Sequence, residues 1–542
     1  MFRSIRDGWV LSAIILSLIV IIPITTIVSF IFTSQGETWS HLASTVLDDY
    51  IINSILIAIA VFIFTIFIGT ISAWIVSIYN FPYKKYIQWL LILPLAIPSY
   101  ALCYVYAEIF GFNGYISNFV YILFSFNTNF INFYSIEGAI FVFTFSLYPY
   151  VYILARQSFI SQSASYIEIS QISGYNLLAI FYKTSIPYAR PAIIGGATLV
   201  IMETLADYGV ADYLGIDTFT KGIYRTWFNL GDINSAGKLS AILLLTVFII
   251  MFIERRSRRG AKYNKNVRND SPFNKVELNG FYSILAILFC MIPIILGFII
   301  PFFTLLAWAI KSINYWEISS FISLVLSSFS LAFFAAFLCM GFAIIIVYGL
   351  RVDYKIVSPF ARIASMGYSI PGAVAAIGIL VPIIWLDNLI DFFSIKFLDH
   401  SPGLLISGTW FALLFAYLIR FLALSIQSVE NSFIRVSHSL DNVAKVLGSS
   451  HINIIKNILI KLNYSGICLG ILIVFVDVLK ELPATMILRP YDLSTLAIKA
   501  HELAMDERLS EASLPLIMII FVCLSPLFII NKVTQLNNKK VY

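Results

Sequence analysis

Apolar stretches long enough to cross a bilayer recur near 9–32, 51–78, 87–110, 137–155, 190–206 and 239–253, and again near 281–310, 322–350, 358–386, 403–428, 463–481 and 513–531. A bilayer core takes about 20 apolar residues of helix. The pattern therefore predicts an all-α polytopic membrane protein with about 12 transmembrane helices, six and six. A polar, basic linker over 255–280 divides a first half, 1–254, from a second, 281–542. The first apolar run is too long for a signal-peptide core and lacks a small-residue cleavage site, so it predicts an uncleaved first span.

The halves repeat one another. Pro98-Ser99 in the third span lies 273 residues before Pro371-Gly372 in the ninth, and Glu203 and Asp207 lie 274 before Asp477 and Glu481. An even number of spans per half predicts parallel repeats about an axis along the membrane normal. Lys and Arg set the orientation. Arg3, Arg6, Lys84, Lys85, Lys539 and Lys540 mark one side, as do Arg255, Arg256, Arg258, Arg259, Lys262, Lys265, Arg268 and Lys275 in the linker. The loops opposite favour Glu37, Asp48 and Asp49, and 111–136 holds no Lys or Arg. Both termini are expected in the cytoplasm.

Composition agrees: 60% of the 542 residues are hydrophobic and 12% charged, with a mean hydropathy of +0.89. So few charges cannot cover a soluble domain of this size. No basic surface interleaved with aromatics is present, which excludes nucleic acid as a partner. Cys103, Cys290, Cys339, Cys468 and Cys523 fall inside apolar runs and read as small core residues rather than disulfides or metal ligands. His41, His400, His438, His451 and His501 fall in loops or near span ends and are expected to be solvated. Tyr100, Tyr104, Tyr106, Tyr208 and Tyr213 offer phenolates to a ferric centre, yet interfacial anchoring is the commoner use of such tyrosines.

One loop pattern occurs twice on the basic side, over about 156–190 and 429–462. Ser165 and Glu168 fit a capping box, and Gly174 stands where a helix would end in a left-handed turn. In the second copy Phe433, Val436, Leu440, Val443 and Leu447 form one apolar stripe of a short helix that stops at Gly448. Such a helix can simply pack on its own bundle with Glu168 as a cap. Two copies at equal offset on one side favour a pair of knobs for a partner with two-fold symmetry.

These loops resemble the cytoplasmic loop of ABC-importer permeases, with its E-A-A, Gly and I-x-L-P elements. Glu168 matches the acidic position, Gly174 and Gly448 the glycine, Ile186-Pro187 the terminal pair, Ala444 the second alanine and Ile458 the isoleucine. Ile169-Ser170 stand in place of the alanines, Asn442 in place of the second glutamate and Lys461 in place of the proline. Longer strings narrow the resemblance to fused ferric-iron permeases: Leu93 to Tyr100, Glu203 to Tyr213, Thr218 to Trp227, Lys480 to Thr485 and Leu488 to Pro490. The resemblance implies the type I ABC importer permease fold and ATP-driven uptake of Fe(III) by alternating access. It also implies two copies of an ABC ATP-binding subunit on the cytoplasmic face and a periplasmic or tethered iron-binding protein on the outer face. The chain would then lie in the bacterial cytoplasmic (inner) membrane, with ATP bound by separate subunits and no cofactor of its own.

Glu203 with Asp207, and Asp477 with Glu481, are each four residues apart and share a helix face. Acids within spans are costly and usually face a bundle interior or a wet cavity, and oxygen ligands suit a hard cation. These four, with Lys480 as a neutralising neighbour, are candidates for the passage or its outer gate. The competing reading is helix-end solvation with a Lys480–carboxylate pair joining the halves. The outer segments 207–238 and 482–512 are candidates for a binding-protein platform. Gly231 to Lys238 has the wrong spacing for a phosphate loop, and no nucleophile–base set points to an enzyme. A secondary transporter with six-plus-six repeats is the rival mechanism. Thiamine, a polyamine or a phosphonate are rival cargoes.

Overall fold

The computed structural model describes residues 8–34, 36–111, 114, 132–161, 170, 172–258, 276–434 and 436–539. Helix dominates. Among the described residues eleven helices are long and apolar enough to span a membrane, and the pair Lys84–Ala96 and Ser99–Phe110, bent by 91°, makes twelve when counted as one broken span. The spans run Gly8–Phe32, Leu47–Ile78, the bent pair, Ile136–Ser161, Leu177–Ala206, Ile233–Glu254, Phe281–Tyr315, Ile318–Val352, Gly372–Leu398, Trp410–Phe433, His451–Lys480 and Leu509–Pro526. Each overlaps one of the twelve apolar runs.

The breaks come from proline. Pro98 and Pro371 adopt φ −57°, ψ 144° and φ −55°, ψ 143°, each after a short 3₁₀ turn (Leu93–Ala96, Gly367–Ser369) and just before a helix. A proline cannot donate to the preceding turn, and it forces its predecessor out of the helical region. The chain therefore turns there and restarts. In the second half this splits the 358–386 run into Tyr354–Ala364 and the ninth span.

Cα packing divides the described chain into two compact units: residues 1–41, 222–244 and 314–502 form one, and 42–221, 245–313 and 503–542 the other. In the first of these the eighth span packs on the tenth and eleventh, and the first span lies against the eighth, the ninth and Tyr354–Ala364. In the other unit the second, fourth and fifth spans pack together, and the seventh packs on the twelfth and on Ser99–Phe110. Small residues permit these approaches. A Cβ at Gly349 would lie 2.6 Å from that of Ala13, and one at Gly196 would lie 2.8 Å from the Val151 backbone. The unit boundaries do not follow the sequence halves, because each half contributes its first span to the unit holding the other half's central spans.

Three side-chain expectations change. Tyr100, Tyr104, Tyr106 and Tyr208 are buried among helices rather than placed as interfacial anchors, with the Tyr104 ring tilted against that of Tyr213 at 4.6 Å. His501 is buried within the helix Leu496–Met505, and His451 is bonded to Tyr348. Cys468 is exposed, while the other four cysteines are buried and all five are free thiols.

Candidate functional site: the paired loops and the span-end carboxylates

Both loop glycines are left-handed, Gly174 at φ +84° and Gly448 at φ +80°. An L-residue with a Cβ pays for that conformation and glycine does not. Each closes a Schellman turn: Tyr175 N–H donates to Ser170 O at 3.1 Å, and Ser449 N–H to Ala444 O at 2.9 Å. The next helix then starts on a side-chain cap, with Asn176 accepting from Ala179 N–H and Ser450 from Asn453 N–H. After one helical turn each chain passes through a five-residue π turn, Phe181–Ser185 or Ile455–Leu459, and enters a 21-residue helix, Ile186–Ala206 or Ile460–Lys480. The two elements correspond residue for residue at the 274-residue offset. A π turn carries one extra residue per turn, and periodicity alone gave no sign of it.

In the second copy the loop helix is His438–Val446, capped by Ser437. Its inward face is narrow, made by Asp441 and Ala444. The expected stripe divides, since Phe433 and Val436 are buried whereas Leu440, Val443 and Leu447 are exposed. Asn442 is also exposed, and Ile458 is half-buried on the returning π turn. In the first copy Ile186 and Pro187 begin the regular α-helix that follows the π turn within the fifth span. Glu168 and the Ser165 cap lie outside the described residues. Ile172, Val446 and Leu447 are each more than three-quarters exposed, so both elements present apolar side chains on their surface.

Asp207 and Glu481 end the fifth and eleventh spans in matching extended conformations, φ −71°, ψ 132° and φ −66°, ψ 124°. Each carboxylate turns back onto the chain that follows it. Asp207 accepts from Val210 N–H at 2.8 Å and from the Ser99 hydroxyl. Ser99 opens the helix after the Pro98 break, so this bond pins the break to the span end. Asp207 also borders a small cavity walled by Ser54, Thr204, Thr218 and Thr220. Glu481 accepts from the backbone of Ala484 and Thr485, both at 2.9 Å, from the Thr485 hydroxyl, and from Arg420 at 2.6 Å. Its side chain is 1% exposed, and a Cβ on Gly372 would lie 2.7 Å from its Oε1. In both halves, then, a carboxylate fastens a span end, through Ser99 in one and beside Gly372 in the other. Tyr417 extends the second network to Thr485 at 2.6 Å.

The other candidates are arranged differently. Glu203 is half-buried one turn before Asp207. Lys480 pairs with Asp477 at 3.8 Å on its own helix. Arg420 was missed by the sequence reading, although a lone arginine in the 403–428 apolar run is itself a signal. Segments 207–238 and 482–512 are folded in more deeply than a solvated platform would be. Gly209–Tyr213, Phe219–Phe228, Pro483–Leu488 and Leu496–Met505 are short helices, and Thr220, Thr226, Thr485 and Leu496 to Ile498 are buried. Among their charges Arg225, Asp492, Asp506, Glu507 and Arg508 remain exposed. At Asp232, ahead of the sixth span, burial opposes ionisation, but hydrogen bonds from Ser235, Thr38 and backbone amides outweigh it and hold the carboxyl below its usual range. Among the described residues no group of three or more His, Cys, Asp or Glu is placed to hold a metal ion.

Comparison with known proteins agrees with this architecture. Residues 66–256 match the family model described as the binding-protein-dependent transport system inner membrane component. The chain is 23% identical over 490 residues to the Fe(3+)-transport system permease protein FbpB 2 of Haemophilus influenzae, covering 89% of each. It is 24% identical over 220 residues to the sulfate transport system permease protein CysT of Salmonella typhimurium, covering 39% of this chain and 76% of that one. It is 23% identical over 156 residues to the molybdenum transport system permease protein ModB of Haemophilus influenzae, covering 29% and 66%. Residues 66–256 therefore resemble the inner membrane component of binding-protein-dependent transport systems, within a multi-pass chain that is similar over nearly its whole length to an Fe(3+)-transport permease.

Proposed function

We propose that the chain is the transmembrane permease subunit of an ATP-driven importer that moves Fe(III) into the cytoplasm by alternating access. The observation that carries the mechanism is the duplicated loop element, two matching Gly-turn and π-turn returns bearing exposed apolar side chains. Two such elements suit two copies of an ATP-binding subunit, docked through Glu168, Gly174, Ile186 and Pro187 in one loop and Asn442, Gly448 and Ile458 in the other, where Ala444 faces inward and seats the loop helix. ATP is then bound by those subunits and this chain needs no cofactor. The loops and both termini are assigned to the cytoplasm of a bacterial cell by their Lys and Arg content. A periplasmic or tethered iron-binding protein delivers cargo to the opposite face.

Ferric iron is preferred because the relative matched over 89% of this chain is named for it, whereas the sulfate and molybdenum relatives match at most 44%. Within the candidate pathway Asp207 and Glu481 hold the span ends, and Glu203, Asp477 and Lys480 are the groups assigned to meet the passing ion. The chain, co-purified with its ATPase and reconstituted in proteoliposomes, should take up Fe(III) from its loaded binding protein only when ATP is supplied. Glu203→Gln with Asp477→Asn should slow uptake while leaving thermal stability in place. Unchanged uptake removes the pathway role, uptake of sulfate or molybdate instead removes the cargo, and uptake driven by an ion gradient without any ATPase removes the mechanism.

A further inference from the structure

The eighth span ends beside the chain that enters the second loop element, and a single guanidinium joins them. Arg351 lies in the last turn of Ile318–Val352, with 6% of its side chain exposed. Its Nε donates to the Asp441 carboxylate. Nη1 donates to Phe433 O at 2.8 Å, and Nη2 to Val436 O at 2.8 Å and Ser437 O at 3.0 Å. Phe433 is the last residue of the tenth span, Ser437 caps the loop helix and Asp441 lies on it. A planar fork with fixed donor directions is suited to hold all three pieces at once. One turn earlier, the Tyr348 hydroxyl meets His451 Nδ1 at 2.7 Å, and Trp9 packs edge-on against the Tyr348 ring at 5.3 Å. His451 opens the returning helix. The way into the element and the way out are thus both fastened to the end of one span.

The first half is built differently. The 274-residue offset pairs Arg351 with Ser77, Asp441 with Ile167 and Tyr348 with Trp74. Trp74 packs against Phe159 at 5.4 Å and Phe181 at 5.1 Å, an apolar contact. Ser77 Oγ is buried without a hydrogen-bond partner among the described residues. Apolar faces can shift against each other at small cost, whereas a buried charge pair with directed bonds cannot shift without leaving a charge unpaired.

We propose that Arg351 is a positioning residue of the transport cycle, making the second loop element and the ends of the eighth and tenth spans move as one piece. The inference rests on the permease reading above. Its measure is the amount of Fe(III) taken up per ATP hydrolysed by the complex in proteoliposomes. Arg351→Gln should leave the ATPase bound and hydrolysing while that ratio falls about tenfold or more, since the variant strands Asp441. Arg351→Lys keeps a charge opposite Asp441 but loses the fork, and should fall between that variant and the wild type. Ser77→Ala should leave the ratio unchanged. If Arg351→Gln does not accumulate, Arg351→Lys decides by itself. Amide exchange over 436–451 should also accelerate in Arg351→Lys. A wild-type ratio or wild-type exchange in Arg351→Lys overturns the proposal. Failure of the permease reading looks different, because the unsubstituted chain would then retain no ATPase.

Discussion

At the scale of single residues, two kinds of position matter most. Gly174 and Gly448 occupy a backbone region that costs an alanine about 1–2 kcal/mol. Gly174→Ala and Gly448→Ala should therefore each loosen one turn, with amide exchange at Tyr175 or Ser449 accelerating by roughly five- to thirtyfold. Both glycines were legible in the sequence, since a helix-ending glycine has a clear local signature. Glu481 was legible only as an acid near a span end. Its roles as cap for Ala484 and Thr485 and as partner of Arg420 depend on residues far apart in the chain. Glu481→Gln leaves Arg420 facing a neutral group in a buried site, and should cost about 3–5 kcal/mol of stability, measured as thermal unfolding in detergent. Glu481→Leu combined with Arg420→Met should cost less than Glu481→Gln alone. Equal losses would mean that the charge pair is not what holds the turn.

At the scale of elements, the apolar runs identified every span, because bilayer length and helix rise leave little freedom. Pro98 and Pro371 stood out in the sequence as markers of the repeat, but the breaks they make and the matching geometry of those breaks did not. The π turns were invisible: Phe181–Ser185 and Ile455–Leu459 share no residue pattern and differ from α-helix by one inserted residue. That extra residue sets the angle at which the loop helix meets the span. Deleting one residue from Ile455–Leu459 should restore a regular helix and narrow the turn that carries the preceding segment. The expected result is a chain that still inserts in the membrane but no longer co-purifies with its ATPase. Retained ATPase would show that the angle carries no weight in docking.

At the scale of the whole molecule, the internal repeat was legible as a constant offset, while the exchange of first spans was not. Nothing in Gly8–Phe32 says that its partners are Gly349, Gly367 and Gly378; the fit is visible only where Ala13, Val20 and Pro23 meet them. Gly349→Ile should push the first span off the eighth and destabilise the protein by about 1–3 kcal/mol, read by thermal unfolding and by protease access to the first span. The exchange also implies that residues 1–258 and 276–542, made as separate chains, accumulate together and not singly. Stable accumulation of either piece alone would contradict that dependence.

The exchange sets a schedule for synthesis as well. The first span leaves the ribosome some 300 residues ahead of the eighth, which at 5–20 residues per second is a delay of roughly 15–60 s. During that interval its helix rests in lipid with its docking face bare. A newborn chain should therefore be most vulnerable to membrane quality-control proteases before residue 352 is made, and an accessory protein that shelters Gly8–Phe32 in the bilayer would raise the yield.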